Sequence, residues 1–197
     1  MAKGCRPLAN DELTKALKAF RGPYRHRDRA LFAVGLTTGL RISELLSLTL
    51  GHVLEDGRIV DEIRLEAAAT KGGADAAALP VHELARKALR TWLRQLGRLG
   101  YLTADCFLFQ SQSIGNAALN RSHAWRILRR TFRRAGLRGK LGTHCMRKTF
   151  AGNIYEACGK DPNFTRIATR HRSPEALIAY LEEDRAKVDK VIRNLYR

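Results

Sequence analysis

From Cys106 to Tyr155 the chain runs for 50 residues without a carboxylate, while Arg121, Arg126, Arg129, Arg130, Arg133, Arg134, Arg138, Lys140, Arg147 and Lys148 all fall inside that stretch. A solvated face normally mixes signs, because an unrelieved field of one sign costs energy. The whole chain shares the bias, with a formal net charge of +17 over 197 residues. Self-repulsion of that size is tolerated where a polyanion neutralises it. Nucleic acid is therefore the default partner, and an anionic membrane surface is the other physical option.

The membrane option finds no support. Met1 to Pro7 is charged but leads into no apolar run, so no signal peptide is visible. The strongest apolar stretch, Ala30 to Gly35, is too short to span a bilayer and is flanked by charge. Cys5, Cys106, Cys145 and Cys158 are scattered, with no Cys-x-x-Cys pair, so neither a zinc ribbon nor a dithiol site is indicated. Four buried thiols in a cytoplasmic protein are the expectation.

Periodicity organises the rest. Asn10 is a plausible N-cap for a helix to about Phe20, with Asp11 and Glu12 in its first turn. A second helix runs from about His26 to Thr38, and Gly39 suits its C′ position. Ile42, Leu45, Leu46 and Leu48 give a short third helix one apolar face. Between Gly51 and Leu79 the period shortens, with breaks at Asp56-Gly57 and Gly72-Gly73, which predicts a small antiparallel sheet. Helices resume from Val81 to Leu96 and from Arg121 to Ala135, the latter burying Trp125, Leu128 and Phe132. Thr143 is expected to cap a helix through Ala157, and Ser173-Pro174-Glu175 is a strong helix start. The fold class is mainly α with a small antiparallel β-sheet inserted. Residues 1–181 are expected to form one domain, and residues 182–197 an amphipathic tail helix that docks either on its own domain or on a neighbouring protomer.

His144 and Arg147, three apart on a helix that begins beside them, share one face and suit a phosphate oxygen. A surface His–Arg pair without a task is the competing reading from spacing alone. Tyr180 lies with Ala176, Leu177 and Leu181 on one helical stripe, where a lone tyrosine is usually core. Arg41, Lys71 and His171 are unremarkable one at a time.

Taken in order, these residues resemble the tyrosine recombinases of the lambda-type integrase family. Thr38-Gly39-Leu40-Arg41-Ile42-Ser43-Glu44-Leu45 is similar to the box holding the first arginine. Thr70-Lys71-Gly72 ahead of Leu79-Pro80 is similar to the hairpin of the lysine. His144-Cys145-Met146-Arg147 resembles the His-x-x-Arg box, and His171, nine residues before Tyr180, resembles the box of the second histidine and the nucleophile. Thr169-Arg170 departs from the Leu-Gly that commonly precedes that histidine, and Cys145-Met146 from the usual Asp-Leu. The Arg41 box also arrives too early for the helical domain that typical members carry in front. This resembles short single-domain members, and a truncated chain is equally compatible.

The resemblance implies a site-specific DNA recombinase that works through a 3′-phosphotyrosine intermediate. Arg41, Lys71, His144, Arg147, His171 and Tyr180 are the implied catalytic residues, with no cofactor and no metal. Glu44 is expected to orient an arginine. Implied partners are double-stranded DNA and further copies of the chain in a tetrameric synapse, with an accessory DNA-bending protein left open. Three alternatives remain: relaxation of the type IB topoisomerase kind, a non-catalytic DNA-binding regulator on the same fold, and a generic basic helical module that binds RNA.

Overall fold

The computed structural model describes residues 4–65, 76–98, 100, 103–111, 116–171 and 173–181. Eight α-helices are described: α1 (Asn10–Ala19), α2 (Arg25–Thr38), α3 (Ile42–Leu46), α4 (Glu83–Arg98), α5 (Arg121–Arg134), α6 (His144–Ala157), α7 (Pro162–Thr169) and α8 (Pro174–Leu181). Four short strands are described between α3 and α4: β1 (Leu54–Glu55), β2 (Arg58–Ile59), β3 (Glu62–Leu65) and β4 (Ala77–Pro80).

The fold centres on α2, which packs against α4 and α6. Ala30, Leu31, Phe32, Ala33 and Val34 on it are all fully buried. A helix apolar all round belongs in the middle of a bundle. Phe32 carries the core outward on two sides, with ring centroids 5.6 Å from Phe20 and 5.8 Å from Phe132. Both are tilted or edge-on contacts, the arrangement aromatic quadrupoles favour. On α4 the buried residues Ala85, Ala88, Leu89, Trp92, Leu93 and Leu96 form the expected stripe, and the Trp92 indole N–H donates to the Leu108 carbonyl at 2.7 Å.

The described strands form two separate antiparallel pairs rather than one sheet. Asp56 and Gly57 both take positive φ, 48° and 73°, as a two-residue turn of the I′ kind requires. In the second pair Leu65 faces Ala77 and Ile63 faces Leu79. Ile63, Leu65 and Leu79 are buried while Glu62, Arg64 and Pro80 are exposed, the period-2 alternation of a half-buried strand.

Several local expectations are corrected. Ala9 rather than Asn10 precedes α1, and the Glu12 carboxylate accepts the Ala9 N–H at 3.0 Å. Thr143 does not cap α6 with its hydroxyl, because its backbone is already helical (φ −59°, ψ −31°) and a capping side chain needs extended backbone to swing back. Trp125 is 47% exposed. The buried face of α5 runs through Ala124, Leu128, Thr131 and Phe132, and Trp125, one step round from Ala124, lies at its edge. There it stacks with the Arg129 guanidinium, 5.5 Å from the ring centroid. Helix α7 was not anticipated, although Asp161-Pro162 is a cap followed by a first-turn proline; Asp161 accepts the Asn163 N–H at 2.7 Å. Of the four thiols, Cys106 and Cys145 are buried, Cys5 is half-buried and Cys158 is exposed.

Among the described residues no helix is long and apolar enough to cross a membrane.

Candidate active site

The site starts from the turn between α2 and α3. Gly39 ends α2 in the left-handed region (φ 62°), its N–H returning to the Gly35 carbonyl at 3.2 Å. A Cβ there would overlap the Phe150 ring of α6, so both backbone and space call for glycine. Two residues on, Arg41 precedes α3 in extended backbone (φ −63°, ψ 147°). Glu44, on the first turn of α3, reaches back to accept the Arg41 N–H at 2.8 Å and its guanidinium at 2.9 Å. One carboxylate therefore fixes both the backbone and the head of Arg41. Glu44 is buried, while the Arg41 side chain keeps 38% of its surface.

Helix α6 supplies the second pair. His144 is its first residue, and Arg147 one turn later is buried. The Arg147 guanidinium donates to the Gly39 carbonyl at 2.5 Å and to the Thr169 carbonyl at 2.6 Å. It thus ties the α2–α3 turn to the end of α7. A buried guanidinium needs such acceptors, since an unmet charge in the interior is strongly destabilising.

The corner between α7 and α8 supplies the third part. The Thr169 hydroxyl donates to the Thr165 carbonyl at 2.7 Å and lies 2.6 Å from His171 Nδ1. A hydroxyl has one hydrogen, and the carbonyl takes it, so Nδ1 must be the donor in the second bond. The neutral ring then carries its proton on Nδ1, and Nε2 is the nitrogen that gains one when the ring becomes cationic. Pro174 opens α8, whose backbone carries Tyr180. Lys71, and with it Gly72-Gly73, lies outside the described residues, which stop at Leu65 on β3 and resume at residue 76.

Electrostatics link these segments. Burial lowers the His171 pKa first, and the charges of Arg147, Arg41 and His144 lower it further, to about 4. His144 is lowered as well, by desolvation and then by Arg147, Lys148 and Arg41. Burial pushes the Glu44 carboxyl up, but the Arg41 N–H, the Arg170 charge and the Arg41 guanidinium outweigh it and leave it below its ordinary value. The charges of Arg41 and Arg147 accordingly reach both His144 and His171, which groups the four residues electrostatically. Such a cluster repels protons and other cations and stabilises an anion brought into it.

Beside it runs the basic face of α5. Ile42, Arg121, Ser122, Trp125, Arg126 and Thr143 line an open groove of about 810 Å³, flanking Arg41 and His144 in the chain. A larger groove of about 1230 Å³ lies between the β1–β2 hairpin and α4 and contains none of the site residues. Sequence reasoning missed Thr165, Thr169 and Arg170 as members of the site. The Asp161-Pro162 start of α7 carries a signal for the helix, but none for the contact of Arg170 with Glu44, 126 residues away.

The pattern of the Phage integrase family matches residues 6–187, and the chain belongs to that family. It is 30% identical over 151 residues to tyrosine recombinase XerD of Corynebacterium glutamicum, covering 77% of this chain and 46% of that protein. It is 34% identical over 139 residues to tyrosine recombinase XerC of Histophilus somni, covering 68% of this chain and 42% of that one. The chain thus spans less than half the length of these two relatives. Among solved structures, the XerH site-specific recombinase bound to difH substrate in a pre-cleavage complex superposes with a TM-score of 0.70 at 26% identity, covering 96% of this chain and 53% of that one.

Proposed function

We propose that the chain catalyses site-specific DNA strand exchange through a covalent 3′-phosphotyrosine. The observation that supports this reading is that Arg41, His144, Arg147 and His171, drawn from three separate segments, lie near enough for both arginine charges to act on both histidines, with Arg147 bonded to the Gly39 and Thr169 carbonyls. A phosphodiester repels nucleophiles, and attack moves charge onto its non-bridging oxygens. Fixed cationic donors act most strongly where that charge develops.

In this reading the Tyr180 oxygen attacks phosphorus and the bond to the 5′ oxygen breaks. The phenolic proton passes to His144, and Lys71 protonates the leaving 5′ oxygen. The phosphotyrosine ester retains the energy of the cut bond, so a 5′-hydroxyl from a second duplex reverses the step and frees Tyr180. His171, held with Nδ1–H against Thr169, gains its second proton at Nε2 as the phosphate anion offsets the neighbouring arginines. The α5 face with Arg121, Trp125 and Arg126 supplies phosphate and groove contacts on double-stranded DNA. Residues 1–181 act as the catalytic unit and residues 182–197 contact a neighbouring protomer, four copies making one synapse.

The test uses a pool of duplexes of random sequence, each nicked close to the cleavage point so that the released fragment diffuses away. The protein is expected to become covalently attached to a sequence-restricted subset, and Tyr180→Phe to form no adduct. Persistence of the adduct in Tyr180→Phe would remove Tyr180 as nucleophile. Attachment to all sequences alike would indicate relaxation in place of site-specific exchange.

A further inference from the structure

Arg170 occupies a backbone position that favours glycine. It ends α7 in the left-handed region (φ 54°, ψ 43°), and the following N–H of His171 returns to the Arg166 carbonyl at 3.2 Å. An L residue with a side chain pays roughly 1–2 kcal/mol to sit there, and most helices closed this way end on glycine. The Arg170 side chain offsets that cost. It folds back to Glu44 at 3.0 Å, with only 12% of the arginine and 3% of the glutamate side chain exposed.

That carboxylate is the one that holds Arg41. Its Oε1 takes the Arg41 guanidinium, and its Oε2 takes both the Arg41 N–H and the Arg170 guanidinium. The segment 39–44 and the corner 169–171 are therefore joined twice. Arg147 bridges the Gly39 and Thr169 carbonyls, and Glu44 bridges Arg41 and Arg170. The second bridge runs through a residue that need not touch DNA.

We propose that Arg170 is a positioning residue: through Glu44 it sets the α7–α8 corner, and with it His171 and the helix bearing Tyr180, in register with Arg41. The proposal deepens the strand-exchange reading and rests on it for its effect on rate. Displacing a reacting group by about 1 Å can cost on the order of a hundredfold in rate, so a corner held by one bridge in place of two should react more slowly without binding DNA less tightly.

Arg170→Gly separates this role from folding, because glycine suits the backbone and removes only the tie. The thermal midpoint of the full chain is expected to stay level or rise. Amide hydrogen exchange at His171 and Leu177, whose N–H groups bond to Arg166 and Ser173, should quicken by about fivefold or more. Single-turnover adduct formation on the selected nicked duplex should fall about tenfold, with affinity for the uncut duplex within about threefold. Arg170→Lys, which keeps the charge, should recover part of the rate. Unchanged exchange at the corner overturns the proposal whatever the rate does, and so does an unchanged rate. If the unsubstituted protein forms no adduct, the strand-exchange reading falls on its own, and exchange at His171 and Leu177 still decides whether Arg170 holds the corner.

Discussion

The turn from Gly39 to Glu44 and the corner from Thr169 to Ser173 both carry site residues, but they are held by different means. The turn is fixed by its own backbone and by the core. Gly39 has no room for a side chain beside Phe150, Leu40 and Leu45 are buried, and Glu44 bonds to the residue that starts its own helix. The corner buries Thr169 and, just beyond it, Leu177, but it is tied to the rest of the site by two long side chains, Arg147 to the Thr169 carbonyl and its own Arg170 to Glu44. On α7 just before it, Phe164 and Ile167 are each 66% exposed. Side chains set by packing cannot shift without unfolding. A helix hung on guanidinium bonds can be displaced while the fold survives. Under the proposed strand exchange, this contrast gives a rigid anion site and an adjustable helix for the proposed nucleophile.

The contrast can be broken first at the turn. Gly39→Ala is expected to destabilise by about 3 kcal/mol, combining a left-handed alanine with overlap on Phe150, which corresponds to a Tm lower by roughly 6–12 °C for a chain of this size. A scanning calorimetry trace with an unchanged Tm would show that the turn is not set by packing. Next comes the shared carboxylate. Glu44→Gln keeps the shape but removes the charge between two arginines, and the expected loss is about 2 kcal/mol, reduced from that of a fully buried pair by the exposure of Arg41. Adduct formation should fall with it, since Arg41 and the corner lose their common anchor. Equal stability by urea titration would mean that the two arginines do not depend on Glu44.

The smallest effect should come from protons. His171 ordinarily titrates near 6.5 and is held at about 4 in the fold, with His144 shifted the same way. Between those values the unfolded chain binds more protons than the folded one, so stability is full above about pH 6.5 and declines as the pH falls towards about 4. Asp28 is raised by burial and works in the opposite direction at the acid end. The clean measurement is therefore the urea midpoint at pH 7.5 and pH 5 for the protein and for His171→Gln. The fall should be smaller in the variant. Bound DNA should also reduce it, because a phosphate favours the protonated ring. Identical pH dependence in protein and variant would remove His171 from the charged cluster.

Much of this architecture is legible locally. The left-handed Gly39, the Asp56-Gly57 turn, the stripe on α4 and the Ser173-Pro174 helix start follow from period and turn chemistry within a few residues. So does the link from Arg41 to Glu44, three residues along. The family resemblance brought together residues that no single spacing would have selected. Other features were closed to such reasoning. Trp125 has a spacing that fits a buried stripe, yet the neighbours of α5 decide which edge of the stripe is covered. Thr143 has the right side chain for a cap but a helical backbone set by the Gly142 turn before it, where the Cys145 N–H bonds to the Gly142 carbonyl.

The sequence alone determined most of the helices and turns and the excess of positive charge, because each depends on neighbours along the chain or on simple composition. Tertiary structure alone decided that Arg147 is buried between the Gly39 and Thr169 carbonyls, and that Arg170 shares the carboxylate of Arg41. Those partners lie 108, 22 and 126 residues away. Which buried charge meets which acceptor is settled by how the helices pack, and chain order carries no record of it.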